Sequence, residues 1–343
     1  MTTLANAEIC YLLAFPDAAE KTTEPSQTIR GLKDAPYFQP LDITVRTLNQ
    51  VQVEAMGVGV TVTRQKFDER IQMVECRFSL PNILTAESNQ LCEAIQKALT
   101  GMLVPQTHQE KGLFEQYVIL LARLANGTPD EFVEANAAAL ARFIRTQREV
   151  FDQNQIDEIL SSRVRYSQDD LTLVDWEGAL VIARDGDYQS DIELLKVGNY
   201  QLLRYRMVDQ TLDGSLRLIN EKFRANPRRF LPGPTRGQIR HIVQLRLDIM
   251  LDFEHTEQNL LLIGDWYTAQ LYHAIRDEFY LEEWKQSIKD KLDNLQDIIQ
   301  TIQENFSLTW AGLLERVELI GWILLLIGYF VLFFMEEIFK NKP

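Results

Sequence analysis

Hydrophobic and polar positions divide the chain into two regimes. Up to about residue 188 the apolar residues come in short runs or alternate, which is the signature of strands with intervening helices. Ala7–Phe15 is a nearly unbroken apolar run and predicts a first, buried strand. Val51–Arg64 and Arg70–Phe78 are rich in β-formers, with a hairpin expected at Lys66–Glu69. Ala86–Leu99 reads as helix, while Leu113–Leu124 fits either a strand or a buried helix, because a short apolar run carries no period. Thr128-Pro129-Asp130-Glu131 opens a helix that continues to Ile144, with a hydroxyl at the cap and proline at the first helical position. Asp170–Ala183 holds two short strands around a turn at Asp175–Gly178, and Asp185-Gly186 marks a further turn.

From Asp191 the period changes from 2 to 3.6. Ile192, Leu195, Leu202, Val208, Leu212, Leu216, Ile219 and Phe223 share one helix face. Asn226-Pro227 and Pro232-Gly233-Pro234 break that helix. A second helix is expected from Thr235 to about Phe279. A third begins near Leu281 with the near-heptad stripe Leu281, Trp284, Ile288, Leu292, Leu295, Ile299 and Ile302, which suits bundle or oligomer packing. An interruption is expected at Ser307–Gly312. The stripe leads into Leu319–Met335, 17 residues without a charge. That length lies at the short end of the ~17–25 residues a membrane span requires. The fold expected is therefore α+β. Its parts are a head (1–188), with a division into two subdomains near 150–165 as the alternative, a long-helix antiparallel stalk (189–316), a single transmembrane helix (317–338) and a short tail (339–343).

Composition narrows the function. The 343 residues carry 35 Lys and Arg against 49 Asp and Glu, a net charge of −14. So acidic a chain is a poor general nucleic-acid binder. The exception is local: Lys222, Arg224, Arg228, Arg229, Arg236 and Arg240 fall in a stretch without a single carboxylate. At 1.5 Å per residue the three helices would measure ~51, ~68 and ~54 Å. Packed antiparallel, they would bring this basic turn to the membrane surface, where each cation gains ~1 kcal/mol from anionic lipid. Pairing with neighbouring carboxylates and contact with ribosomal or other RNA are the competing readings.

Catalytic chemistry is hard to find. His108, His241, His255 and His273 are too far apart in sequence or along a helix to form one metal site. Asp169, Asp170, Asp175, Glu177, Asp185, Asp187, Asp191 and Glu193 cluster without the spacing of a calcium loop. Cys10, Cys76 and Cys92 are an odd set and read as reduced thiols. Gly57-Val58-Gly59 lacks the third glycine and following helix of a dinucleotide site. Trp266, Tyr267, Tyr272, Phe279, Tyr280 and Trp284 crowd the expected bend between the second and third helices and read as packing. No metal, cofactor or enzymatic activity is expected. The N-terminus has neither the flanks of a signal peptide nor the arginines of a transit peptide. The bulk of the chain is therefore expected on the cytoplasmic side of a bacterial inner membrane or its equivalent.

Gly264–Ile302 (GDWYTAQLYHAIRDEFYLEEWKQSIKDKLDNLQDIIQTI) and Ser167–Asp213 resemble the required-for-meiotic-nuclear-division family. That resemblance implies a non-enzymatic, homo-oligomeric membrane scaffold. The layout of head, helices and span is also similar to CorA-type magnesium channels, although Gly101-Met102 is followed by Leu103 instead of the asparagine of their filter. The function expected is a tail-anchored homo-oligomeric scaffold or tether, the alternative being a channel or transporter subunit. Its partners would be lipid, further copies of itself and a membrane or ribosomal protein.

Overall fold

The computed structural model describes residues 3–17, 27–28, 43–146, 150–224, 240, 243–244, 247–251, 253–254 and 266–340. Side chains at 3, 27–28, 218–224, 299, 301–314, 330 and 333–340 lie outside the description. The described chain divides into one unit of Met1–Gln210 with Asp252–Ile288 and another of Thr211–Leu251 with Lys289–Pro343.

Among the described residues the first unit is built on a nine-stranded sheet. Its strands are β1 (Thr3–Pro16), β2 (Gln27–Thr28), β3 (Thr44–Ala55), β4 (Val58–Phe67), β5 (Ile71–Phe78), β6 (Glu115–Asn126), β7 (Arg163–Val164), β8 (Leu171–Val174) and β9 (Gly178–Ile182). Their order is β2-β3-β4-β5-β1-β6-β9-β8-β7. Every neighbouring pair is antiparallel except β6 and β9, which run parallel with Val118 opposite Gly178. A parallel pair needs a long crossover, and this one carries α3 (Pro129–Ile144), α4 (Gln153–Ile159) and the β7–β8 pair.

The run Leu113–Leu124 settles as strand because β1 and β9 both bond to it and its middle is buried on both faces. Val51–Arg64 is not one strand. Met56 (φ 52°) and Gly57 (φ 78°) turn it into the β3–β4 hairpin. Successive positive φ values are the two-residue turn that matches strand twist, and methionine in the first of them hides it from the sequence. The β4–β5 turn falls at Asp68 and Glu69, inside the expected hairpin.

Alternation along β1 assigns the layers. Ile9, Tyr11, Leu13 and Phe15 pack in one cluster with Ile95 and Leu99 of α1 (Ala86–Leu103), Phe132 and Leu140 of α3, and Ile156 of α4. Ala14, Phe67, Ile71 and Met73 face the other way, onto Val197, Tyr200 and Leu203 of α5 (Gln189–Arg224). A short α2 (Gln106–Lys111) leads into β6. Thr128 caps α3 in a reciprocal box with Glu131, with Pro129 at the first position. The first half of α5 is therefore a covering layer of the sheet. α6 (Trp266–Glu278) ends at Phe279 and Tyr280, where φ is 50°, and α7 (Leu281–Lys340) follows.

The expected transmembrane helix at 317–338 is not upheld. Among the described residues no helix is long and apolar enough to cross a membrane. α7 runs uninterrupted through Ser307–Gly312 and beyond. Glu315, Arg316 and Glu318 precede its apolar part. The membrane and tail-anchored character drawn from that span falls with it.

Candidate functional site

The residues expected at a membrane surface are mostly out of view. Lys222 and Arg224 fall on α5 with side chains outside the description, and Arg228, Arg229 and Arg236 lie outside it altogether. Arg240 is helical and exposed. Of the near-heptad stripe, Leu281, Ile288, Leu292 and Leu295 are buried within the chain itself and Trp284 is half-buried. The side chains of Ile299 and Ile302 lie outside the description.

The sheet unit assembles a cavity that no sequence motif announced. It forms where β6 begins, beside the turn that leads into β9. That turn is clamped. Asp175 N–H donates to the Gly178 carbonyl (2.9 Å), and Tyr117 Oη donates to the Asp175 carbonyl (2.9 Å). Arg145, at the end of α3, holds the Asp175 carboxylate with two hydrogen bonds of 2.8 Å each. Gly178 permits the approach, because a Cβ there would sit 2.7 Å from the Val118 carbonyl oxygen and 3.0 Å from that of Ile144. Trp176 and Glu177 are thereby presented at the cavity wall. Phe279 packs edge-on against Tyr117 (5.2 Å) and against Trp176 (6.2 Å), and Tyr280 covers Trp176 from 5.7 Å. On the opposite wall Tyr11 Oη donates to Gln116 Oε1 (3.0 Å) and shares a hydrogen bond with Thr100 Oγ1 (2.9 Å). Glu115 pairs with Arg206, which also donates to the carbonyls of Gly112 and Phe114. It is an open cleft of about 440 Å³.

Burial lifts the pKa of Glu177 above the usual carboxylate range, with Arg145 opposing. Burial raises Glu115 as well, against the pull of Arg206. The aromatics expected as bend packing thus divide. Phe279 lines the cavity, and Tyr280 packs behind it on Trp176. Tyr267 instead donates to Asp191, which also accepts from Thr172 Oγ1 at 2.6 Å.

A second polar centre lies between β5 and α5. Lys196 is fully buried, with Nζ 2.5 Å from Glu75 Oε2, 2.9 Å from Glu193 Oε1 and 2.9 Å from Gln65 Oε1. Burial by itself would raise Glu75, but Lys196 and Arg77 hold it below its ordinary value. Burial would lower Lys196, but Glu193 and Glu75 hold it above. The carboxylates of Asp169–Glu193 are dispersed: Asp169 to Arg184, Asp175 to Arg145, Asp191 to Tyr267 and Glu193 to Lys196. Among the described residues no group of His, Cys, Asp and Glu is placed to hold a metal ion. Cys10, Cys76 and Cys92 are free, buried thiols.

Residues 17–189, just over half of the chain, match the family described as "Uncharacterized protein MJ0711, N-terminal domain". The chain belongs to that family. The uncharacterized protein MJ0711 of Methanocaldococcus jannaschii is 25% identical over 197 residues, covering 57% of this chain and 60% of that protein. The match thus spans less than two thirds of the relative's length. No solved structure matches. The family stretch contains the whole sheet from β2 onward and ends as α5 begins. The resemblance on Ser167–Asp213 and Gly264–Ile302 falls largely beyond it, and neither match bears on the other.

Proposed function

We propose that this protein is a homo-oligomeric scaffold that acts by binding and not by covalent chemistry. The observation that carries this reading is on α7. Val317, Leu319, Ile320, Trp322, Ile323, Leu324, Leu325, Leu326, Ile327, Tyr329, Val331 and Leu332 are each more than half exposed. Apolar surface of that extent marks an interaction site. Together they form an apolar surface larger than the few hundred Å² that a monomer ordinarily leaves exposed. A helix apolar on every side is a surface that must be covered, and copies of the same helix packed around a common axis cover the faces turned toward that axis and toward each neighbour. The buried part of the stripe, Leu281 to Leu295, is already committed within one chain and leaves this segment as the contact between copies. The candidate nucleophiles are withdrawn from chemistry, since burial raises the pKa of all three thiols.

Light scattering on the full-length protein tests this. A mass that is a multiple of 39.7 kDa is expected, and a double substitution Ile320→Asp, Leu324→Asp should return it to one subunit. A single-subunit mass for the unaltered protein would refute the reading.

A further inference from the structure

We propose that the cavity at the start of β6 is a binding site for a small organic cation, an ammonium group carried on an apolar body. The inference is independent of oligomer formation, because every residue it uses belongs to the sheet unit.

Three observations converge on it. The volume, about 440 Å³, lies within the ~300–1,000 Å³ of small-molecule sites. The charges around it leave one sign over. Among the described residues the two cations beside it are paired, Arg145 with Asp175 and Arg206 with Glu115. Glu177 lines the cavity, its carbonyl accepting from Val118 N–H, and its carboxylate feels Arg145 only through space, with no hydrogen bond or ion pair among the described residues. A half-buried carboxylate left in that state favours a cationic occupant over an anion. Its raised pKa, caused first by burial, reports the same unmet solvation. Finally, the wall beside Glu177 is aromatic. Trp176 keeps 40% of its surface exposed while Phe279 and Tyr280 hold its ring at the rim. An indole face is the strongest aromatic partner for an ammonium group. The clamp of Tyr117 and Arg145 on Asp175 fixes both residues before any ligand arrives, so little ordering is needed on binding.

The test is titration calorimetry on the full chain with two cations, choline and benzyltrimethylammonium. The neutral isostere 3,3-dimethylbutan-1-ol serves as the comparison for choline. At least one cation should bind, and choline should bind about tenfold or more tightly than its isostere. Trp176→Ala and Glu177→Gln should each weaken the cation by about tenfold. Trp266→Phe, which alters an exposed tryptophan outside the cavity, should leave it unchanged. Unfolding curves identical to the unaltered protein establish that the variants are folded. Failure of both cations to bind, equal binding of choline and the neutral isostere, or indifference to Glu177→Gln in a folded variant would each overturn the proposal.

Discussion

Replacing Lys196 by Met removes one charge from a place where three groups depend on it. The methionine keeps the apolar stem and most of its volume, so the cost is electrostatic and not that of a void. Glu75, with 9% of its side chain exposed, loses its 2.5 Å partner and retains only Arg77. Glu193, 14% exposed, loses a 2.9 Å partner. Removing one member of a buried pair costs about 3–5 kcal/mol, because the other charge is stranded. At about 2–4 °C per kcal/mol for a unit of this size, the melting temperature at pH 7 should fall by about 10 °C.

The pH dependence separates this cause from simple misfolding. In the unaltered protein the folded pKa of Glu75 lies below its ordinary 4.5. Its contribution is therefore present above that value and is lost as pH falls through the folded pKa. In the variant, burial acts on Glu75 without Lys196 and its folded pKa rises. A carboxyl with a raised folded pKa contributes stability that is present at low pH and lost as pH rises through it. Lys196, raised above its ordinary 10.5, stays charged throughout the acid range. The gap in melting temperature should accordingly narrow between pH 7 and pH 4, and adding Glu75→Gln to Lys196→Met should recover part of the loss at pH 7. Scanning calorimetry across that range is the assay. A variant within about 2 °C of the unaltered protein at pH 7, or a gap that stays constant on acidification, would refute the reasoning.

Gly178→Ala should cost about 1–3 kcal/mol in denaturant unfolding, because the new Cβ meets backbone oxygens that cannot move aside. Gly59→Ala, with open space around it, should change stability by no more than about 0.5 kcal/mol. The three thiols should be silent to a disulfide reagent at pH 8 in the native protein and react fully in guanidinium. Burial pushes Cys76 and Cys92 up to about 12 and raises Cys10 further above its usual range. At most about one thiolate in 10⁴ is then present at pH 8. Prompt labelling of a native thiol would contradict the packing described.

Much of the fold is written in local patterns. Thr128-Pro129 with Glu131 specifies the start of α3, because the cap, the proline and the acidic return contact act within four residues. Asp175–Gly178 gives the β8–β9 turn, and the run of β-formers at Arg70–Phe78 gives β5. What depends on distant partners was not legible. Leu113–Leu124 has no period that separates strand from helix, and only its pairing with β1 and β9 decides. α5 has a helical pattern, yet the sequence could not say that its first half covers a sheet, because that requires Val197, Tyr200 and Leu203 to meet Phe67 and Met73 from more than a hundred residues away. Hydropathy marked 319–335 for a membrane span, whereas among the described residues no helix is long and apolar enough to cross a membrane.

The sequence by itself determined the α+β class, the capped helices, the turns with strong local chemistry and the scarcity of catalytic motifs. These follow from interactions between residues a few positions apart. Tertiary structure alone decided the two polar centres. Lys196 looks like one more helix lysine until β5 places Glu75 against it. Trp176 and Glu177 look like turn residues until Gly178 lets their turn press on β6 and Phe279 closes the wall. A charge becomes consequential only where packing removes water from it, and packing is a property of the whole chain.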